Sequence, residues 1–383
     1  KKNTDEGKSE TGITETNHVN PFALPCIRYA SNTNDRTFDN ATINEFSLLT
    51  EDSTAIESYL HKHPGSTPYH RPCVLRTIQT TFLHDCRYWV AKRESQICGV
   101  LPLVQLKSRL FGNYCVSMPF FNYGGVLADD VIVAQQLLKH ASSWAINRGA
   151  KHVEYRYASD THFDLPHKSD KVSFYLSLPE TSEALRQSFK SKLRSQIKKA
   201  QSYPHQVRHG GAELVDDFYR VFSENMRDLG TPVYDKQLFR NLAITLGNRL
   251  SVTVIYYDNN PAAAAILIGH KHRLEIPWAS TLRTHNPKSV NMLLYWEVLQ
   301  WAIQKNYRVF DFGRCSTDAG TYKFKAQWGA TELPLHWDYQ LFNGEMPALN
   351  TKNIKYKFLI SVWKRLPVFV ANTLGPHVVK YLP

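Results

Sequence analysis

Apolar residues gather along the chain in two kinds of block, short runs rich in branched and aromatic residues and longer stretches with a helical period near 3.6. From Ile43 to His63 the run INEFSLLTEDSTAIESYLHKH places a cap at Asp52 or Ser53 ahead of AIESYL, and Pro64-Gly65 closes it. This predicts a helix before the first sheet. RYWVAKRE, ICGVLPLVQL and NYCVSM follow, rich in branched and aromatic residues, with Glu94 and Ser95 between the first two. They predict a hairpin and a third strand. After the loop Asn122-Tyr123-Gly124-Gly125, residues Val133, Leu137, Leu138, Ala141, Trp144 and Ala145 fall at helical spacing within Asp129 to Asn147. Gly149 stops that helix, and HVEYRY reads as the next strand.

The same order returns downstream. LSVTVIYYD and AAAAILIGH predict a hairpin around Asn259-Asn260-Pro261, RLEIPWAS a third strand, Ser289 to Lys305 a helix and RVFDFG a closing strand. Trp144-Ala145-Ile146 aligns without a gap on Trp301-Ala302-Ile303, and at the same spacing Glu154 falls on Asp311 and Tyr155 on Phe312. A shared helix-to-strand junction inside equal element orders predicts a duplication: two similar modules of mixed α and β structure in tandem, at 43–170 and 171–345. Residues 1–20 hold too few apolar side chains to offset the entropy of ordering and are expected to be a disordered tail.

Two segments stand apart by charge. In LRQSFKSKLRSQIKKAQ, Leu185, Phe189, Leu193 and Ile197 form an apolar stripe, while Arg186, Lys190, Lys192, Arg194, Lys198 and Lys199 project elsewhere with no acid from Ala184 to Ala212. This predicts an amphipathic helix held on the protein, its basic face either solvated or meeting phosphate. The segment 346–383 again lacks acids and interleaves lysines with Tyr356, Phe358, Leu359, Ile360, Val362 and Trp363. It is expected to be a basic amphipathic helical segment, placed on an anionic membrane or packed on its own domain.

The whole chain has 383 residues, 43% hydrophobic and 21% charged, which excludes a fibre or a small disulfide scaffold. Its net charge of +12 favours polyanionic partners: nucleic acid, phosphorylated molecules or an anionic membrane face. The 6 cysteines are scattered without a C-x-x-C pair, signalling neither a zinc knuckle nor a redox dithiol. No apolar run reaches the roughly 18 residues a spanning helix needs, and 1–20 has no signal-peptide core, so a cytoplasmic location is expected. G-x-S-x-G, Walker, G-x-G-x-x-G and H-E-x-x-H signatures are all missing, and the pairs His61/His63 and His270/His272 have no Cys or carboxylate at ligand spacing. No metal is expected.

The most information-rich stretch is FDFGRCSTDAGTYKFKAQWGATELPL, Phe310 to Leu335. Through FDFGR, GTYKFKAQWGA, ENMRDLGTPVY (Glu224 to Tyr234), SKLRSQIKKA (Ser191 to Ala200) and VWKRLPVFVANTLGP, the chain resembles the FemAB family over roughly Cys73 to Pro383. It is most similar to the FemAB-like proteins associated with exosortase and PEP-CTERM exopolysaccharide systems. The resemblance implies an α+β fold of two tandem GNAT-like domains, substrate in the cleft between them, and transfer of an aminoacyl or acyl group to an amine on a cell-envelope glycan precursor. In that family a Phe-Lys pair ahead of an aromatic-Gly turn supplies a cation near the reacting carbonyl, and Phe324-Lys325 before Trp328-Gly329 matches it. The long helical-hairpin arm of many tRNA-using members is absent.

The chemistry has its own demands. Amine attack on an ester or thioester creates an oxyanion, best met by a fixed cation or donors, and the amine must lose a proton. Lys325 is the expected oxyanion group and Asp311 the expected proton acceptor, although a turn-capping role suits Asp311 equally. Tyr322, Phe324, Arg314, Asn291, Asn122 and Tyr123 are expected to shape the substrate site, and Arg194, Lys198 and Lys199 to attract phosphates. Proteins that bind acetyl-CoA in this way carry an [RQ]-x-x-G-x-[GA] loop, whereas TLRTHNPKSV has no glycine, so a standard CoA site is not expected in the second module. No bound cofactor is expected, and the donor, aminoacyl-tRNA or acyl-CoA, stays open. Expected partners are a phosphorylated or lipid-linked glycan precursor, tRNA and an anionic membrane surface. An acyl-CoA-dependent GNAT acetyltransferase and a noncatalytic protein binding anionic glycan or nucleic acid are the rival readings.

Overall fold

The computed structural model describes residues 41–158, 161, 163–317, 319–347 and 354–382, so the expected tail at 1–20 lies outside the described residues. The first half runs β1 (Thr42–Glu45), α1 (Thr54–Lys62), α2 (Pro72–Phe82), β2 (Asp85–Arg93), β3 (Gln96–Ser108), β4 (Gly112–Val116), β5 (Leu127–Ala128), α3 (Val131–Asn147), β6 (His152–Tyr157) and β7 (His167–Lys168). The second half runs β8 (Lys171–Ser177), α4 (Ser182–Ser188), α5 (Ser191–Gln201), β9 (Gln206–Gly210), α6 (Val215–Leu229), α7 (Lys236–Leu246), β10 (Leu250–Tyr257), β11 (Asn260–His270) and β12 (Arg273–Thr281). It continues through α8 (Val290–Gln304), β13 (Val309–Asp311), β14 (Cys315–Ser316), α9 (Gly320–Ala326), β15 (Thr331–Pro334) and β16 (His336–Leu341) to α10 (Ile354–Trp363) and α11 (Val368–Val379).

Among the described residues the strands form two sheets, ordered β1-β2-β3-β4-β6-β16-β7 and β14-β8-β13-β12-β11-β10-β9, with β5 beside β3 and β15 beside β8. The duplicated order is present: β2-β3-β4-α3-β6 in one sheet and β10-β11-β12-α8-β13 in the other. In each, a helical crossover delivers the last strand parallel to the third, with Val116 opposite Glu154 and Glu275 opposite Asp311. A parallel pair needs such a crossover, whereas the hairpins close with two-residue turns. Glu94 and Ser95 take φ of 45° and 67°, and Asp258 and Asn259 take 50° and 62°, the left-handed pair of a type I′ turn. The second hairpin therefore turns one residue earlier than Asn259-Asn260-Pro261.

Both sheets are covered on both faces, which is why ICGVLPLVQL and AAAAILIGH are continuously apolar rather than alternating. Tyr88 and Val90 face the core between the sheets, and Trp89 and Ala91 face α3. Residues of α2, α6 and α7 fill the space between the sheets, while α4, α5 and α8 cover the far face of the second. The stripe Leu185, Phe189, Leu193 and Ile197 is buried as expected, but in two helices rather than one. The chain is extended at Phe189 and Lys190, and the break seats the Phe189 ring edge-on against Trp296 and Trp328.

The expected boundary at 170/171 falls between β7 and β8, yet β16, within 171–345, crosses back and pairs along β6 of the first sheet. The two modules are thus joined by strand pairing as well as by a shared core. The expected helical segment at 346–383 contains α10 and α11, which pack on α6: Arg227 donates to the Leu366 carbonyl at 2.8 Å, and Gly375 has no Cβ to strike the Val233 backbone. Among the described residues no helix is long and apolar enough to cross a membrane.

Candidate active site

The parallel strands β12 and β13 put Glu275 and Asp311 side by side, 3% and 0% exposed. The loop after β4 reaches them from the first module. Its bend is made possible by Gly124, at φ +131°, where a Cβ would lie 2.4 Å from the Met118 side chain. Asn122 donates to Glu275 Oε1 at 2.7 Å and Tyr69 to Oε2 at 2.6 Å. Asp311 receives three donors: Tyr123 on Oδ2 at 2.8 Å, and Ser173 and the Gly313 N–H on Oδ1 at 2.6 and 2.9 Å. Behind them Tyr175 donates to Tyr123 and Arg273 to Tyr175, at 3.1 and 3.0 Å.

Two buried carboxyls on adjacent strands cannot both ionise cheaply. Glu275 is pushed up to about 8, first by burial and then by the charge on Asp311. The Tyr69 and Tyr123 phenols are held well above their ordinary range by burial and by these carboxylates, so they stay donors. At neutral pH Glu275 therefore keeps its proton. A cavity of about 30 Å³, lined by Ser66, Thr67, Tyr123, His270, Arg273 and Glu275, reaches the Glu275 side of the pair.

On the opposite side, just past Asp311, Gly313 turns at φ +67°, and a Cβ there would lie 3.0 Å from the Ile276 carbonyl. Lys325, buried on α9, donates to the Gly313 and Arg314 carbonyls at 2.6 and 3.0 Å. Burial lowers it to about 8 against the opposing pull of Asp311 and Glu275. An ammonium, a buried carboxyl pair and a strand end with no side chain at Gly313 thus lie around the end of β13, between the two sheets. Such a set can hold a developing oxyanion and relay a proton.

Residues 187–326, from the end of α4 through α9, match the model of an acetyltransferase (GNAT) domain, and Glu275, Asp311 and Lys325 fall within them. The fold is that of a crystal structure of FemX, which is 11% identical with a TM-score of 0.61 over 78% of this chain and 98% of that one. The chain is an acyltransferase of the GNAT fold. The acyltransferase is also similar to a tandem GNAT protein from the clavulanic acid biosynthesis pathway, at 11% identity and TM-score 0.50 over 78% of this chain and 98% of that one. L-PGS from Bacillus licheniformis likewise gives 11% and 0.50, over 82% and 98%. No curated protein matches the chain in sequence.

Of the residues expected to act together, Lys325, Asp311, Asn122 and Tyr123 converge, and the Arg314 backbone joins them through Lys325. The others sit elsewhere in the acyltransferase. Tyr322 packs edge-on against Phe174 and gives its hydroxyl to Glu332 on β15. Phe324 packs on Tyr295 and Trp328 as part of the core around α8. Asn291 bonds the adjacent Met292 amide in the first turn of α8. Arg194, Lys198 and Lys199 are exposed on α5, forming a separate basic surface. The connection into α8 holds Pro287 and a left-handed Ser289 in place of glycines.

Glu275, Tyr69, Ser173, Tyr175 and Arg273 were missed. Glu275 stands inside RLEIPWAS, where a charged residue flanked by buried positions was a readable signal. Tyr69 and Ser173 carried none, because only the tertiary fold brings them to the carboxyls. Among the described residues no cluster of His, Cys, Asp and Glu is arranged to hold a metal.

Proposed function

We propose that the acyltransferase moves an acyl or aminoacyl group from an activated ester or thioester to an amine of a cell-envelope or exopolysaccharide glycan precursor, as FemAB-type enzymes do. The convergence of Lys325 with the Glu275/Asp311 pair at the end of β13 carries this reading, and the likeness to FemX supports it. The amine nitrogen attacks the carbonyl carbon, and the carbonyl π electrons move to oxygen beside the Lys325 ammonium. The carboxyl pair accepts the amine proton on its charged member and supplies its shared proton to the departing alkoxide or thiolate. Proton and charge balance without any added reagent. Glu275, pushed up to about 8, suits this double duty, because proton transfer is most efficient when the pKa lies near the working pH.

The exposed basic face of α5 suits a phosphorylated or lipid-linked acceptor, or tRNA as donor. Leu359, Val362, Phe369 and Leu374, exposed on α10 and α11 beside Lys364 and Arg365, suit contact with an anionic membrane. The test is mass-spectrometric detection of acylated amino sugars from panels of acyl-CoAs and charged tRNAs, with Lys325→Met in parallel. Loss of one oxyanion-stabilising group should lower turnover about 10²- to 10³-fold. Unchanged turnover in a folded variant would remove Lys325 from the mechanism.

A further inference from the structure

The last strands of the two modules end at one tryptophan. Arg156, the residue of β6 two past Glu154, lays its guanidinium 4.2 Å from the centre of the Trp337 ring. Arg314, from the turn after β13, lies 4.9 Å from the same centre. Trp337 belongs to β16, the strand that ties the second half of the chain to the first sheet. Two like charges are thus gathered on one indole at the seam between modules.

Arg156 is 1% exposed; its Nε donates to Glu154 at 2.7 Å and one terminal nitrogen to the Phe121 carbonyl at 2.7 Å. Its other terminal nitrogen, Nη2, is buried without a hydrogen-bond partner. Buried donors are seldom left bare, and a charged one costs most. Among the described residues no carboxylate forms an ion pair with Arg314, and each arginine's field opposes the other, lowering Arg314 to about 10 after the larger effect of burial. Tyr234, which closes the ENMRDLGTPVY motif, feels both guanidiniums and packs edge-on to Phe120 and Trp278.

We propose that Arg156, Arg314 and Tyr234 form an oxyanion-binding subsite for the phosphate or carboxylate of a substrate, over the face of Trp337. The Arg314 carbonyl accepts from Lys325, so the subsite begins one residue from the reacting centre. An oxyanion there accepts charge-assisted bonds from Arg314 and from the bare Nη2 of Arg156, and it relieves the repulsion between them. The assignment of this subsite to a substrate rests on the proposed acyl transfer; the binding of an anion does not.

The two are separated by titrating inorganic phosphate, pyrophosphate and acetate into the full chain at ionic strength fixed with chloride, read by thermal stability and indole fluorescence. Wild type and Lys325→Met should bind a polyatomic anion with a midpoint distinct from chloride, and Arg314→Gln should weaken it tenfold or more. Arg314→Lys keeps the charge without the fork and should recover only part, which guards against a misfolded Gln variant. Preference for acetate would assign a carboxylate, and preference for pyrophosphate a phosphorylated substrate. Equal shifts with chloride, or unchanged binding in both Arg314 variants, would overturn the subsite. Anion binding that persists in a protein inactive with every donor would instead sink the acyl-transfer reading alone.

Discussion

Replacing Glu275 by Gln isolates the shared proton. The folded chain holds Glu275 at about 8 against an ordinary value of 4.5, through burial and then the Asp311 charge. A carboxyl raised on folding contributes stability that is complete below its unfolded value and is lost as pH climbs through the folded one. Between those values the native state carries one proton more than the unfolded chain, so wild type loses about 1.4 kcal/mol per pH unit from this group. From pH 5.5 to 7.5 the loss is roughly 3 kcal/mol by the same slope. Glu275→Gln keeps the side-chain shape, and although its amide nitrogen faces a donor, that cost does not vary with pH; because it cannot ionise, its stability lacks this slope. Depressed histidines such as His70, lowered to about 4 by burial, act equally in both proteins and cancel in the difference. Lys325, lowered to about 8, adds its own slope only above that pH. Urea denaturation at pH 5.5, 6.5 and 7.5 should show the variant gaining on wild type at each step. Parallel curves would mean that Glu275 is already ionised, and the proton relay would lose its proton.

Three further outcomes follow from the same site and surface. Tyr123→Phe removes the 2.8 Å donor to Asp311 and strands the Tyr175 hydroxyl, so stability should fall by about 1–3 kcal/mol, measured by calorimetry. Gly313→Ala places a Cβ 3.0 Å from the Ile276 carbonyl at φ +67°, a left-handed position that costs an L-residue about 1–2 kcal/mol; turnover should drop further than stability does, and an unaffected kcat would show that the turn does not set the site. Flotation with vesicles containing phosphatidylserine should carry the chain upward at low salt, and Phe369→Asp with Leu374→Asp should abolish this; equal recovery with neutral vesicles would argue against a charge-assisted membrane contact.

The repeated strand-helix-strand order was legible because it rests on local composition and rhythm: short runs of branched and aromatic residues where strands pair, period 3.6 where α3 and α8 cover a sheet. The crossing of β16 into the first sheet was not, because HWDYQL records that it is a strand but nothing about which edge it meets. The break at Phe189 was hidden for a similar reason. The stripe has helical spacing, and only the presence of Trp296 and Trp328 makes burial of that ring worth a broken helix. At the site, Asp311 and Lys325 lie in one distinctive stretch and could be paired by sequence. Asn122 and Tyr123 were marked by their glycine neighbours, but Tyr69 sits in an ordinary PYH turn and reaches Glu275 only through the fold.

The duplication also explains why the chemistry collects in one module. At the spacing that sets Glu154 on Asp311, Arg156 falls on Gly313. In the first module the carboxylate is spent on that arginine and on the Tyr339 hydroxyl at 2.8 Å, and the arginine bonds the Phe121 carbonyl. The strand end is also laced by the Gly125 N–H to the Arg156 carbonyl at 2.8 Å, so the region where the parallel strands would part is filled by protein. In the second module the same position has no side chain, and its carbonyl meets an ammonium instead. One substitution pattern therefore turns a single architecture into two parts: a first module whose strand end is filled by Arg156 and lends Asn122 and Tyr123 to the other, and a second whose strand end carries Gly313 beside the Lys325 ammonium. Asp311→Asn should accordingly lower kcat, whereas Glu154→Gln, which reaches the substrate only through Arg156, should raise KM and leave kcat unchanged.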